Sequence, residues 1–205
     1  MMNAFNKEYY IIHDSDNERL PFLTPDEDTV AKQYDWEVQP LGAKPLIFYN
    51  GCYERQKRLG YIPIDPPPEV LFNGSNLVVV DRIANRLWDL EIQNLAIQPA
   101  IYIDHKDNWH ENYWFLTFTA RFDCWDRQNS TYEPEPSGTE PPLYELYTYS
   151  LNDELIQKTP LAERRLFKMG GTSDGFIVAH KSIADLFRVK GVDVVPIADY
   201  GVSYP

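Results

Sequence analysis

The chain has 205 residues, a formal net charge of −12 and a pI near 4.7, and 43% of its residues are hydrophobic. This composition is sufficient for a packed core and excludes wholesale disorder. The acidic balance disfavours DNA or RNA as a direct partner, because phosphate groups repel it, whereas a basic protein would be steered toward it.

The sequence shows no sign of targeting or of disulfide formation. No N-terminal stretch is apolar enough for a signal peptide, and no segment approaches the length of a membrane span. Cys52 and Cys124 are the two cysteines, and they form no CxxC pattern. These features predict a cytoplasmic protein with idle or buried thiols and no membrane partner.

The first part of the chain predicts an irregular region with short strands. Residues 7–13 and 46–49 have the composition of strands, and residues 14–28, which are acidic and interrupted by two prolines, predict a loop. Four prolines between residues 60 and 70 predict an extended connection, because proline resists both helices and central strands.

Two segments one hundred positions apart show the same order of predicted elements. Residues 77–97 read as a β-branched strand, a helix beginning at Asp81 and a second strand. Residues 176–197 repeat this order with apolar residues at matching positions, such as Ile83 and Ile183. The match predicts an internal strand–helix–strand duplication.

The longest strand signals lie between these two segments. Residues 99–105 and 111–123 alternate in character, so that Tyr113 and Phe115 would line one face of a strand and Trp114 the other. Because both faces carry large apolar groups, residues 111–123 predict a central strand that is covered on both sides.

These elements together predict the fold class. A loop rich in proline and glutamate precedes a further predicted strand over residues 143–150. We expect a mixed α+β fold with a mainly antiparallel mixed sheet and a few helices. Residues 1–69 would form an irregular N-terminal region and residues 70–205 an α+β domain, the two making one compact unit.

The stretch DCWDR at residues 123–127 concentrates acids, a thiol, a tryptophan and an arginine. A nucleophilic Cys124 would need a nearby base, and none of the four histidines is close in sequence. Short acidic side chains followed by an asparagine are typical of turns. We therefore predict a structural turn made by Asp123, Cys124, Asp126, Arg127 and Ser130.

Residues 104–112, DHKDNWHEN, are the best candidate for a metal site. His105 and His110 are five positions apart, whereas HExxH places its histidines four apart on one helix face. The segment lies between two predicted strands, which favours a polar hairpin loop. If the loop is functional, contact with a protein partner through Trp109 and the neighbouring acids is the favoured role.

The glycines of MGGTSDG, residues 169–175, precede a predicted strand, which is the wrong order for a phosphate-binding loop and favours a tight turn. The sequence contains no GxSxG motif, dinucleotide loop or basic-aromatic patch. We predict no catalytic residues, no metal and no cofactor.

The C-terminal two-thirds of the chain resembles a bacterial family of immunity proteins encoded beside polymorphic toxins, first catalogued as a domain of unknown function. The resemblance covers about residues 70–198. It is carried by the helix segment DRIANRLWD, the Asp123–Arg127 turn with Ser130, the segment LYTYSLNDELIQ, and the closing strand–helix–strand phrase over residues 176–197.

The resemblance implies a protein that binds and neutralises a cognate toxin without catalysis. Acidic and aromatic residues of the two loops are then the candidate partner-binding residues: Asp14, Asp16, Glu18, Asp104, Asp107, Trp109, His110 and Glu111. Two alternatives stay open, a small metal-dependent hydrolase using residues 104–111 and an aromatic-rich carbohydrate-binding module. The identity of the toxin and the oligomeric state are also open.

Overall fold

The computed structural model describes residues 4–201. The strands are β1 (Tyr9–Asp14), β2 (Leu23–Pro25), β3 (Leu46–Asn50), β4 (Val70–Asn73), β5 (Asn76–Val80), β6 (Leu95–Ile103), β7 (Trp109–Phe118), β8 (Arg121–Phe122), β9 (Thr131–Tyr132), β10 (Leu146–Thr148), β11 (Leu166–Met169), β12 (Ile177–His180) and β13 (Val192–Pro196). The α-helices are α1 (Glu27–Val30), α2 (Tyr53–Leu59), α3 (Asp81–Trp88), α4 (Asp153–Lys158) and α5 (Leu161–Arg164), with 3-10 helices at Ala4–Lys7, Ala184–Phe187 and Ile197–Asp199.

The strands form two large sheets and one small ribbon. The five-stranded sheet has the order β13-β1-β12-β11-β8, the six-stranded sheet has the order β2-β3-β6-β7-β5-β4, and β9 pairs with β10. Only the β3–β6 and β8–β11 pairs are parallel among these strands. The predicted α+β fold with a mainly antiparallel mixed sheet is confirmed.

The six-stranded sheet curls into a nearly closed barrel. A bridge between Phe22 and Phe72 brings the two edges of the sheet together. Phe48 and Phe115 stack inside with their ring planes 7° apart, and Tyr34 lies edge-on to both. The barrel interior is therefore filled by large aromatic side chains from these strands.

Strand β7 has both faces covered, as predicted. Tyr113 and Phe115 point into the barrel, whereas Leu116 and Phe118 join a second apolar cluster shared with the five-stranded sheet. The strand ends at Phe118 instead of continuing to residue 123, because the chain bends at residues 119–120 and enters the other sheet as β8.

The two segments predicted to be a duplication have the same topology. Strands β5 and β6 lie on either side of β7, and strands β12 and β13 lie on either side of β1. The connecting segments pack in the same cluster through equivalent residues, which are Ile83, Ala84 and Leu87 in one and Ile183, Ala184 and Phe187 in the other.

The second connecting segment differs from the predicted helix. It contains only the 3-10 turn Ala184–Phe187. Just before this turn, the Ser182 amide donates to His180 Nδ1, and the Ile183 amide donates to the His180 carbonyl. These local bonds to His180 replace the hydrogen-bond pattern that the first turn of an α-helix would have at this point.

Three further predicted strands differ from those in the structure. Residues 91–97 and 99–105 do not form separate strands, because β6 runs from Leu95 to Ile103 through Pro99. Strand β3 pairs with β6 only from Ala100 onward. On that side of β6, Pro99 therefore has no neighbouring strand that would need a hydrogen bond from a backbone N–H, which proline lacks. The strand predicted over residues 143–150 is reduced to Leu146–Thr148.

The N-terminal part of the chain contributes to both large sheets. Strand β1 lies between β12 and β13, and β2 and β3 form one end of the barrel sheet. The predicted loop over residues 14–28 therefore contains a strand and the first turn of α1. The division of the chain at residue 69 stays a prediction, but strands from both sides of that point share each of the two large sheets.

A buried lysine joins the two sheets. Lys168 of β11 donates from its Nζ to Asn76 Oδ1 at the start of β5. Burial is the main reason why the pKa of Lys168 falls to about 8.

Candidate partner-binding site

The Asp123–Arg127 turn is held together by its own polar groups. Both Asp123 oxygens accept hydrogen bonds of 2.6 Å from the Arg127 guanidinium, which also stacks over the Trp125 ring at 3.9 Å from the centroid. Asp126 Oδ1 accepts from the amides of Gln128 and Asn129. Such bonds are typical of a strand end closed by local interactions.

Cys124 is fully buried within this turn. Its Sγ lies 3.8 Å from Met169 Sδ, and burial raises the pKa of the thiol well above its usual value. A thiol that stays protonated at neutral pH is a poor nucleophile. The geometry therefore gives Cys124 a packing role.

The predicted glycine turn packs directly on Asp123. Met169 and Phe176 bond across the hairpin that this turn closes. A Cβ at Gly171, whose φ is +69°, would lie 2.7 Å from Asp123 Oδ2, and the amide of Gly170 donates to the Phe122 carbonyl at 2.9 Å. The glycines thus permit a close approach of two turns.

The loop at residues 104–110 is organised around Asp104. The carboxylate of Asp104 accepts hydrogen bonds from the Lys106 amide, from the amide and side chain of Asn108, and from His110 Nε2. Burial alone would raise the pKa of Asp104, but these bonds outweigh it, those of His110 first, and hold the pKa well below its usual range. Asp104 and His110 are therefore used within the turn.

The same turn displays other predicted residues to solvent. The Trp109 side chain is 58% exposed, and Asp107 and Glu111 are exposed on either side of it. Lys106 pairs with Asp65, which ties the turn to the proline-rich connection. The loop thus presents an aromatic residue and two acids on a fixed support.

The metal-site alternative finds no ligand set in the described part of the chain. Among residues 4–201, no group of three or more His, Cys, Asp or Glu side chains could hold a metal ion. The aromatic residues are divided between core and surface, so carbohydrate binding stays an untested hypothesis. None of the helices within the same residues is long and apolar enough to cross a membrane.

The other predicted loop lines a groove of about 670 Å³ between the two large sheets. Asp14, Asp16 and Glu18 lie on its wall together with Asp193, and the exposed ring of Phe22 lies at its side. Sequence reasoning missed Asp193, which reaches the groove because it pairs with His13 across β1 and β13. The alternating pattern of VDVV indicates that Asp193 lies on the outward face of β13. It does not indicate that Asp193 lies near Asp14.

The two predicted loops flank the same helix. Arg55 of α2 binds Glu18 at 2.7 Å, and the ring of Tyr53, also in α2, lies 5.2 Å from the His105 ring. Residues separated by about ninety positions are thus brought to two sides of one short helix.

These features describe a mixed α+β protein that displays acids and aromatic side chains on its surface, while Asp104, Asp123 and Arg127 are bonded within their own turns. The model of the Immunity protein family (Imm11) matches residues 51–179, and the chain belongs to this family. The match begins before residue 70 and ends before residue 198, so its bounds differ from those of the resemblance described above. A comparison with curated proteins found no match.

Proposed function

We propose that this protein is the immunity partner of a toxin, and that it neutralises the toxin by binding it without catalysis. The observation that carries the proposal is membership of the immunity protein family over residues 51–179. The internal bonding of Asp123, Arg127 and Asp104 supports the non-catalytic part, because these charged groups serve turns.

The partner that fits this protein is a basic toxin that acts in the bacterial cytoplasm. The net charge of −12 favours fast association with a basic surface and disfavours nucleic acid and anionic membranes. Tight inhibition needs an interface of about 1,200–2,000 Å² with a few strong anchors. No cofactor or metal takes part in this function.

The interface includes the exposed members of the two predicted loops. Asp14, Asp16 and Glu18 would face the toxin from the groove, and Asp107, Trp109 and Glu111 from the other loop. Asp104 and His110 would act indirectly by fixing the conformation of the second loop, since their polar atoms bond to each other.

The test uses the toxin domain encoded beside the gene for this protein. The domain is produced in bacteria with and without the immunity protein, and survival and co-purification are measured. Association kinetics are then compared for the double variant Asp14→Lys, Asp16→Lys and for the matched control Glu135→Lys, Glu140→Lys, which changes the net charge equally at exposed positions elsewhere.

We expect survival and a stable complex for the wild-type protein. The groove variant should associate at least about tenfold more slowly at low salt, with a smaller difference at high salt, because screening weakens steering. Absence of both protection and complex would exclude the function. Equal effects of the two double variants would exclude the groove acids from the interface.

A further inference from the structure

Four neighbouring strands of the barrel carry a row of residues that point to its outside. The strand register pairs Thr24 with Tyr49, Tyr49 with Ile103, and Ile103 with Trp109. Paired residues on neighbouring strands lie on the same face of a sheet. The row therefore runs across β2, β3, β6 and β7.

Two residues of this row, Tyr49 and Trp109, carry large aromatic side chains that are exposed to solvent. Tyr49 is 41% exposed and Trp109 is 58% exposed, whereas Ile103, which lies between them in the register, is 8% exposed. The residues that precede them on the strands, Phe48 and Tyr102, fill the barrel interior. The aromatic pair is thus not required for the core, and we call Tyr49, Ile103 and Trp109 the aromatic row.

Acidic residues lie at both ends of the aromatic row. Tyr49 lines a surface cavity of about 480 Å³ together with Asp26, Glu27 and Asp28. At the other end, Asp107 and Glu111 are exposed beside Trp109.

Two nearby lysines are already paired with acids. Lys106 is paired with Asp65, and Lys44 forms an exposed ion pair of 3.9 Å with Asp28 of the rim, which leaves the other rim acids to give the surface a negative charge. The surface therefore combines an apolar centre with a net acidic rim, an arrangement that is typical of protein interfaces.

We propose that the aromatic row is the apolar centre of the toxin interface, and that its occupant is a basic face of the toxin whose arginine or lysine side chains lie over Tyr49 and Trp109. This inference rests on the proposed function. The charge of the rim selects a basic partner, and an aromatic ring with a free face attracts a cation in addition to apolar contact. Tyr49 and Thr24 lie outside the family match, whereas Ile103 and Trp109 lie inside it.

The experiment compares single alanine variants in binding to the neighbouring toxin domain. Tyr49→Ala and Trp109→Ala remove the two exposed rings, and Trp36→Ala is the matched control because its side chain is 56% exposed. The backbone amide of Gln39, three positions after Trp36, donates to Gln98, and Gln98 lies roughly 16 Å along β6 from Ile103. Affinity is measured by calorimetry, and thermal melts verify that each variant is folded.

We expect Trp109→Ala and Tyr49→Ala each to weaken binding at least about 30-fold, as anchor residues do, and Trp36→Ala to change it less than about threefold. If the wild-type protein binds tightly and both row variants bind equally well, the aromatic row is not the interface, and the proposed function stands. If the wild-type protein does not bind the domain, the proposed function and this inference both fail.

Discussion

His110 Nε2 donates a 2.9 Å hydrogen bond to Asp104 Oδ2, and the exposed Trp109 lies next to His110 in the chain. The Asp104 side chain is almost fully buried, so this bond and three others within the turn replace its contacts with water. The turn next to Trp109 is therefore held by hydrogen bonds to a buried carboxylate.

The substitution Asp104→Asn should lower the free energy of unfolding by about 2 kcal/mol at pH 7, because buried donors lose a charged acceptor. The pKa of Asp104 is lowered in the folded protein, so its contribution is complete above the unfolded value of about 3.9 and is lost as the pH falls below it. Urea unfolding at pH 7 and pH 3.5 checks this expectation. The difference between wild type and variant should shrink at the lower pH, and the exposed Asp107→Asn should show little difference at either. A difference that does not change with pH would show that ionisation of Asp104 contributes nothing.

Because Gly171 lies against Asp123, a side chain at position 171 should cause a steric clash in addition to backbone strain. Gly171→Ala should destabilise the protein by about 2–4 kcal/mol, because the new Cβ would lie 2.7 Å from the Asp123 carboxylate at a φ of +69°. Gly74→Ala is the control, since Gly74 has a φ of +58° and no atom within 4 Å of an added Cβ. Chemical denaturation should give a clearly larger loss for Gly171→Ala. Equal losses would show that the two turns can move apart without cost.

The two cysteines should differ in reactivity. Cys124 is fully buried with a raised pKa, whereas Cys52 is partly exposed and lines the groove. With a thiol-specific disulfide reagent, we expect one thiol to react in the native protein and two after denaturation. The Cys52→Ser variant in its folded state should show no fast reaction with this reagent. A fast thiol in that variant would contradict the packing role of Cys124.

The position of β1 predicts that residues 51–205, which contain the whole family match, do not fold alone. A chain that begins at residue 51 lacks β1, so β12 and β13 lose the strand that joins them, and the core loses Tyr9 and Ile11, which are completely buried. We expect no cooperative thermal transition for this fragment, in contrast to the full chain. A cooperative transition in circular dichroism would show that residues 51–205 form an independent unit.

The amino-acid sequence by itself determined the features that depend on local pattern. Alternation predicted the two covered faces of β7, β-branched residues followed by Asp81 predicted β5 and α3, and glycines placed before a strand predicted the turn at residues 169–175. These features follow from side-chain periodicity and backbone freedom, which act over a few residues.

Only the tertiary structure decided which distant residues meet. Asp193 and Asp14 line the same groove because β13 pairs with β1, and Tyr49 and Trp109 lie on the same face of the barrel because β3 and β7 both neighbour β6. The sequence also named Asp104 as a residue facing a partner, whereas the fold surrounds its carboxylate with donors from its own turn. Strand register and burial arise from packing over the whole chain, and no local pattern encodes them.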